Sequence, residues 1–239
     1  MANEWFTGWR HVFKLDPDKE LTDEALDAIC LSGTDAIMVG GSSGVTFENT
    51  VDLMSRIRRY EVPCALEVSS MDGAVPGFDG YFIPMVLNTD RAEWILGHQT
   101  MGLLEYGTFV PWDETAAEGY IILNGEATAA KLSGANAGLG TQEVIALTRM
   151  ATRIMKLPVV YFEYSGRFGD MELVRQAAAQ AGADSRVFYG GGIDSAERAR
   201  QAAEAVDTVV VGNVIYTDLD KALSTVAAVK DASYVRRNG

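Results

Sequence analysis

The stretch "RVFYGGGIDSAERARQAAEAVDTVVVGN" (186–213) decides the fold. It opens on an apolar run, turns through three glycines, continues with helical period, and closes on a second apolar run rich in Val. Side chains alternate faces along a strand, so a run that is apolar at every position must be covered on both faces. Strands of that kind separated by a helix are parallel strands of an α/β fold.

Working outward, the same unit recurs along the chain. Further strands are expected at 11–15, 36–41, 64–69, 81–87, 119–124 and 159–164, with 186–191 and 208–213 as the last two. Helical patterns fill the intervals ("LTDEALDAICLSG", "TFENTVDLMSRIRRY", "TDRAEWILGHQTMGLLEYG", "TQEVIALTRMATRIMK", "DMELVRQAAAQAG") and "DLDKALSTVAAVKD" follows the eighth strand. Several open on Thr or Asp, as N-caps do, and several are followed by Gly. Eight such units in 239 residues predict a TIM-like (β/α)8 barrel rather than the alternative, a doubly wound sheet. No repeat, linker or charge block divides the chain, so residues 1–239 are expected to form one domain.

Two stretches break the pattern. Between the third and fourth strands, "SMDGAVPGFDG" (70–80) is Gly- and Pro-rich without helical period, which predicts a loop where the third outer helix belongs. After the fifth strand, "GEATAAKLSGANAGLG" (125–140) reads as a flexible loop at the barrel mouth.

A formal net charge of −13 argues against nucleic acid or anionic membrane being held by the overall field, so an anionic ligand needs a local site. The N-terminus lacks an apolar leader and no run spans a bilayer, which predicts a cytoplasmic protein. Cys30 and Cys64 read as buried reduced thiols, and His11 and His98 as structural.

Barrel chemistry sits at the C-terminal ends of the strands. There the glycines at 190–192 and Gly212-Asn213, on consecutive strands, suit either an anion cradle or tight turns without a ligand. Lys14 and Asp16 share one face of the first strand, as a salt bridge or as a phosphate clamp and a metal ligand. Ser42 lies near Asp16 around the barrel; a carboxylate, a hydroxyl and waters suit Mg²⁺. Glu67 and Ser69, Asn88, and Asn124 end the third to fifth strands, while Glu118 begins the fifth and reads as structural. In "VVYFEYSG" (159–166), Tyr161, Glu163 and Ser165 share one face, and Phe162 and Tyr164 the other. A carboxylate inside so apolar a strand costs several kcal/mol, roughly 2–7 even for a neutral polar group left unpaired, so Glu163 needs a purpose.

The motifs "FKLDP", "GTDAIMVGGSSGVT", "PGFDGYFIPMVLN", "AEGYIILN", "YFEYSG", "YGGGI" and "VVVGNVIY" together resemble the glyceryl phosphate prenyltransferase family, over about residues 9–230. That family includes geranylgeranylglyceryl and heptaprenylglyceryl phosphate synthases, and the opening "WRHVF" to "LSGTDA" looks most like the bacterial heptaprenylglyceryl branch. The resemblance implies a barrel lacking its third helix. It also implies Mg²⁺-dependent transfer of a long polyprenyl group from its diphosphate to the 3-hydroxyl of sn-glycerol 1-phosphate, giving an ether-lipid precursor. By matching motif, Lys14, Tyr161, Phe162, Glu163, Tyr164, Ser165, Gly166, Gly191, Gly212 and Asn213 are expected to bind glycerol phosphate. Asp16 and Ser42 are expected to hold the metal, with Glu163 and Tyr161 as the catalytic residues. The position that limits chain length in the family matches Gly102, and a glycine there favours a long chain such as C35. The family further suggests a homodimer, with a groove rim able to touch membrane transiently. One departure is Asn124-Gly125 where the family has Asn-Pro, which bears on the following loop. Two other readings compete: a barrel enzyme acting on a small phosphorylated metabolite, and a phosphate-sensing regulator without turnover.

Overall fold

Parallel strands β1 (His11–Leu15), β2 (Ala36–Val39), β3 (Cys64–Glu67), β4 (Gly80–Val86), β5 (Thr115–Ile122), β6 (Val159–Glu163), β7 (Arg186–Gly190) and β8 (Thr208–Val211) close into a barrel in chain order. The computed structural model describes residues 5–234, so the ends of the expected domain, 1–4 and 235–239, lie outside the described residues. Closure is made by β1, whose Val12 lies opposite Ala36 of β2 on one side and Val210 of β8 on the other. Around it run α1 (Asp23–Cys30), α2 (Phe47–Ile57), α3 (Gly97–Tyr106), α4 (Thr128–Ser133), α5 (Thr141–Arg149), α6 (Met171–Ala178), α7 (Ala196–Ala203) and α8 (Leu219–Lys230).

Local chemistry sets where the helices begin. Side chains of Thr22, Thr46, Asp170, Ser195 and Asp218 each accept an orphan N–H in the first turn of α1, α2, α6, α7 and α8. The outward strand faces, including Ile37, Val39, Ile121, Phe162 and Tyr189, bury against Leu26, Ile29, Leu53, Val174 and Val226 of the helices. The inward faces form a second core of Val12, Met38, Ala65, Phe82, Tyr161, Phe188 and Val210. Below it, Trp5, Phe6 and Trp9 close the N-terminal end of the barrel, with Phe6 5.4 Å and Trp5 4.9 Å from the Phe82 ring.

Between β3 and β4 the chain runs without a helix, as the Gly- and Pro-rich composition predicts. Val75 and Phe78 are buried from that loop and replace part of a helix's apolar face. The replacement is incomplete: Tyr81, Ile83 and Met85, on the outer face of β4, are only half-buried.

Other stretches differ from expectation. The pattern over 89–107 divides into a short 3₁₀ turn (Ala92–Trp94) and α3, none of whose side chains is buried. The stretch 125–140 is not wholly a loop, since α4 forms within it and ends on Gly134 in the left-handed conformation. Ala127 and Ala130 pack into the inner core, so tertiary burial overrides the breaker-rich composition. β5 begins at Thr115, earlier than expected, because "TAAE" gains partners from Tyr81 to Pro84 of β4. α5 runs on into one π-helical turn (Met150–Ile154).

Candidate active site

A cavity of about 2560 Å³ opens at the C-terminal ends of the strands. Drug-sized ligands occupy pockets of roughly 300–1,000 Å³, so this space suits a much longer molecule. Lys14, Asp16, Ser42, Gly102, Tyr161, Glu163, Ser165, Gly166, Gly191, Gly212 and Asn213 all line it. Phe162 and Tyr164 do not. Strand parity turns Phe162 outward into the helix-facing core, and Tyr164 follows it to 3 % exposure behind Gly191. That corrects the expectation that the whole of 161–166 lines the pocket.

The cavity has two parts of opposite character. One is apolar and follows the missing helix: Tyr81, Ile83 and Met85 of β4 form its floor, with Met71, Gly102 and Phe109 around it. A Cβ on Gly102 would only touch Met71 Sδ, at 3.6 Å, so the groove is open at that point. The other part is polar and lies inside the barrel mouth. There Lys14 Nζ donates to Glu67 Oε1 at 2.6 Å and to the Tyr120 hydroxyl at 3.1 Å. Tyr120 donates to Glu67 Oε2 at 2.9 Å and stands 3.4 Å from Glu163 Oε2. The rings of Tyr120 and Tyr161 stack 4.6 Å apart, and the Lys14 ammonium lies 5.8 and 5.7 Å from their centroids.

Glu163 is 4 % exposed, and its Oε1 accepts the Ser165 N–H at 2.5 Å. Burial raises its pKa and outweighs Lys14 and the Ser165 hydrogen bonds, which pull it down. A raised carboxylate pKa moves a group toward the range of a general base at neutral pH. Lys14 is lowered by burial, but Glu67 and then Glu163 more than compensate and keep it an ammonium. Burial first, then Glu67, pushes the Tyr120 hydroxyl well above its ordinary value, so it is a neutral donor. Glu118 is fully buried, and both its oxygens lack a hydrogen-bond partner.

Beside this cluster, where Gly190 of β7 is the register partner of Glu163, the strand ends carry glycines. Gly190 has no room for a side chain, since a Cβ would fall 2.0 Å from the Tyr161 hydroxyl. Gly191 holds φ +141°, where a Cβ would strike the Tyr164 backbone. Four cations converge here despite the acidic chain: Lys14, Lys19, Arg167 and Arg198 all line the cavity, and Lys19 donates to Asn213 Oδ1 at 2.9 Å.

Asp16 stands at the same mouth with one oxygen taking the Asp18 N–H at 3.1 Å. Burial, chiefly, raises its pKa, so its charge is under-compensated. Among the described residues no cluster of three His, Cys, Asp or Glu side chains forms a metal cage. One carboxylate beside the exposed Ser42 hydroxyl instead fits Mg²⁺, which keeps its waters and takes phosphate oxygens as ligands.

Strand-end residues divide by task. Asn88 exchanges hydrogen bonds with the Ile122 backbone, and Asn124 donates to the Ser165 carbonyl at 2.6 Å, so both brace loops. His11 is fully buried between the Thr34 and Thr225 hydroxyls and is structural. His98 lines the groove edge-on to Trp94. Cys30 and Cys64 are buried and unpaired. Sequence reasoning missed Tyr120, which reads as one more apolar residue of "GYIILN", and gave Glu67 no role.

The model of the PcrB family matches residues 4–230. A heptaprenylglyceryl phosphate synthase of Brevibacillus brevis (strain 47 / JCM 6285 / NBRC 100599) is 54% identical over 229 residues, 96% of this chain and 99% of that protein. One of Bacillus cereus (strain AH187) is 51% identical over 94% of this chain and 97% of its own length. Among solved structures, (S)-3-O-geranylgeranylglyceryl phosphate synthase from Thermoplasma acidophilum, in complex with sn-glycerol-1-phosphate, shares the fold with a TM-score of 0.82. It covers 96% of both chains at 22% identity.

Proposed function

The chain belongs to the PcrB family, and on that premise we propose that it transfers a long polyprenyl group, of heptaprenyl (C35) length, from its diphosphate to the 3-hydroxyl of sn-glycerol 1-phosphate. The observation that carries this reading is one cavity joining a buried carboxylate, a cationic glycine cradle and a long apolar groove. An enzyme or sensor for a small phosphorylated metabolite has no use for the groove.

In this reading the phosphate of glycerol phosphate lies against Gly191, Gly212 and Asn213, with Lys14, Ser165 and Gly166 around the glycerol. Glu163 holds the attacking hydroxyl and takes its proton as the new C–O bond forms and the bond to diphosphate breaks. Tyr161 turns an aromatic face toward the allylic carbon, whose positive character such a face favours by about 0.5–2 kcal/mol. Asp16 and Ser42 are the residues that hold Mg²⁺, which when bound neutralises charge on the diphosphate. The tail runs over β4 past Gly102.

The chain works, we further propose, as one domain over 1–239, as a homodimer, and in the cytoplasm. Among the described residues no helix is long and apolar enough to cross a membrane. Leu104, Phe109 and Trp112, exposed beside the groove, support transient contact of its rim with a bilayer.

The test is incubation with labelled glycerol 1-phosphate, Mg²⁺ and polyprenyl diphosphates of graded length. A lipid-soluble product is expected, most abundant with long donors; no product at any length refutes the reading. Glu163→Gln is expected to keep glycerol phosphate affinity while losing turnover by about 10²–10⁴-fold, and unchanged turnover removes the base.

A further inference from the structure

We propose that Tyr120 and Glu67 form a proton relay that empties Glu163 after each transfer. The inference rests on Glu163 being the general base, as read above, and asks what that role requires next. A carboxylate that has taken a proton is spent until the proton leaves. Glu163 is 4 % exposed and in that reading lies under the bound substrates, so its proton has no direct path to solvent until they leave. Glu67, 6 % exposed, is scarcely more open, and only the hydrogen bonds mark it as the next acceptor.

The hydrogen bonds define one exit. Glu163 Oε1 is engaged by the Ser165 N–H, which leaves Oε2 to receive the proton. That oxygen faces the Tyr120 hydroxyl at 3.4 Å, a separation that becomes a full hydrogen bond only when one of the two moves closer. Tyr120 has one proton to donate and two lone pairs. Lys14 is donor-only and occupies one lone pair at 3.1 Å. Tyr120 gives its own proton to Glu67 Oε2, at 2.9 Å, the nearer of its two carboxylates. The second lone pair is therefore free to accept from Glu163 once Glu163 is protonated. In that state the one donor and both lone pairs of the Tyr120 hydroxyl are used.

The step balances. As the C–O bond forms, the hydroxyl O–H bond breaks and the proton binds Glu163 Oε2. The Oε2–H bond then breaks and a new O–H bond forms on Tyr120, while the original phenolic proton moves to Glu67 Oε2. Tyr120 ends neutral, as it began, Glu163 is again a carboxylate, and Glu67 carries the proton. Glu67 lines the cavity, and the diphosphate produced by the reaction, itself a base, takes the proton as it departs. Tyr120 must pass both protons together, because burial first, and then the charge of Glu67, strongly disfavour a phenolate there. Stacking on Tyr161 fixes the ring, so the hydroxyl stays aimed between the two carboxylates.

A relay and a substrate contact differ in which turnover they affect. With the relay cut, Glu163 still accepts one proton, so the first transfer proceeds and later ones wait. For Tyr120→Phe, with enzyme in excess, the single-turnover rate is expected within about threefold of wild type, while kcat under excess substrate falls about tenfold or more. One product per site should form in a burst, kcat/KM for glycerol phosphate should hold so that KM falls with kcat, and formate or imidazole small enough to enter the cavity should restore kcat in part. Glu67→Gln, which keeps an acceptor toward Tyr120 but cannot retain the proton, should give the same burst. It decides the matter if Tyr120→Phe does not fold. An unchanged kcat, or a first turnover that falls in parallel with kcat, overturns the relay. A wild-type enzyme that makes no product with any donor overturns the prenyltransferase reading instead, so the two failures are distinct.

Discussion

Glu118 shows how far a single buried group can be argued. It points into the barrel beside Lys14, Glu67 and Glu163, yet neither of its oxygens has a partner. Burial, then the charge of Glu67, raises its pKa well above the carboxylate range, and Lys14 only partly opposes them. The unfolded chain releases this proton near pH 4.5, whereas the folded chain keeps it. The folded state then binds more protons, so stability from this group is full below about pH 4.5 and is lost as pH rises toward the folded pKa. Glu118→Gln keeps the volume and removes the titration. The Tm of the variant minus that of wild type is therefore expected to climb steadily from pH 4 to pH 8, measured by differential scanning fluorimetry. A difference that stays flat over that range means the carboxyl is ionised in the folded protein. The same reasoning places Glu118 outside the relay, since it has no hydrogen bond through which to pass a proton.

At the scale of elements, the groove depends on what α3 does not do. The helix buries none of its side chains and leaves the outer face of β4 open, and Gly102 stands over that opening. Gly102→Trp puts an indole into the groove, where only Met71 is near. The expected outcome is a product spectrum moved from about C35 to C20 or shorter, with turnover on the short donors retained, because no residue of the polar mouth is touched. An unaltered length profile rejects the groove as the path of the tail. The missing third helix was legible because Gly and Pro carry their own backbone signal, and the strands because burial on both faces leaves an uninterrupted apolar run. α4 was not, since what stabilises it is the seating of Ala127 and Ala130 in the inner core, a tertiary fact. Parity in "VVYFEYSG" already turned Phe162 and Tyr164 away from the mouth; the contiguous motif of the resemblance argued otherwise, and parity held. Tyr120 could not be found by parity alone. Alternation gives its face, but its height relative to Lys14, Glu67 and Glu163 comes from the registers of four strands.

The whole molecule separates its tasks along the barrel axis. Chemistry-bearing side chains gather at the C-terminal ends of the strands, and the opposite end is closed by aromatic packing and by Arg10. The Arg10 guanidinium donates to the carbonyls of Ala203, Val206 and Asp207 at 2.9, 2.9 and 2.7 Å, tying the turn into β8 to the start of β1. Phe6 fills the floor, 1 % exposed and edge-on to Phe82 and Phe188. Truncating it leaves a cavity that the strands, fixed by closure, cannot collapse to fill. Phe6→Ala is expected to cost about 3–5 kcal/mol. For a chain of this size that lowers Tm by about 6–20 °C. Between Phe6 and Glu163 lies the layer of Phe188 and Tyr161, with Phe188 and Tyr161 rings 6.3 Å apart, which shields the mouth from the change. Well below its Tm the variant should therefore keep kcat/KM within about threefold of wild type. A loss of activity larger than the loss of folded protein, read by circular dichroism in the same sample, shows instead that the floor and the catalytic mouth are mechanically one unit.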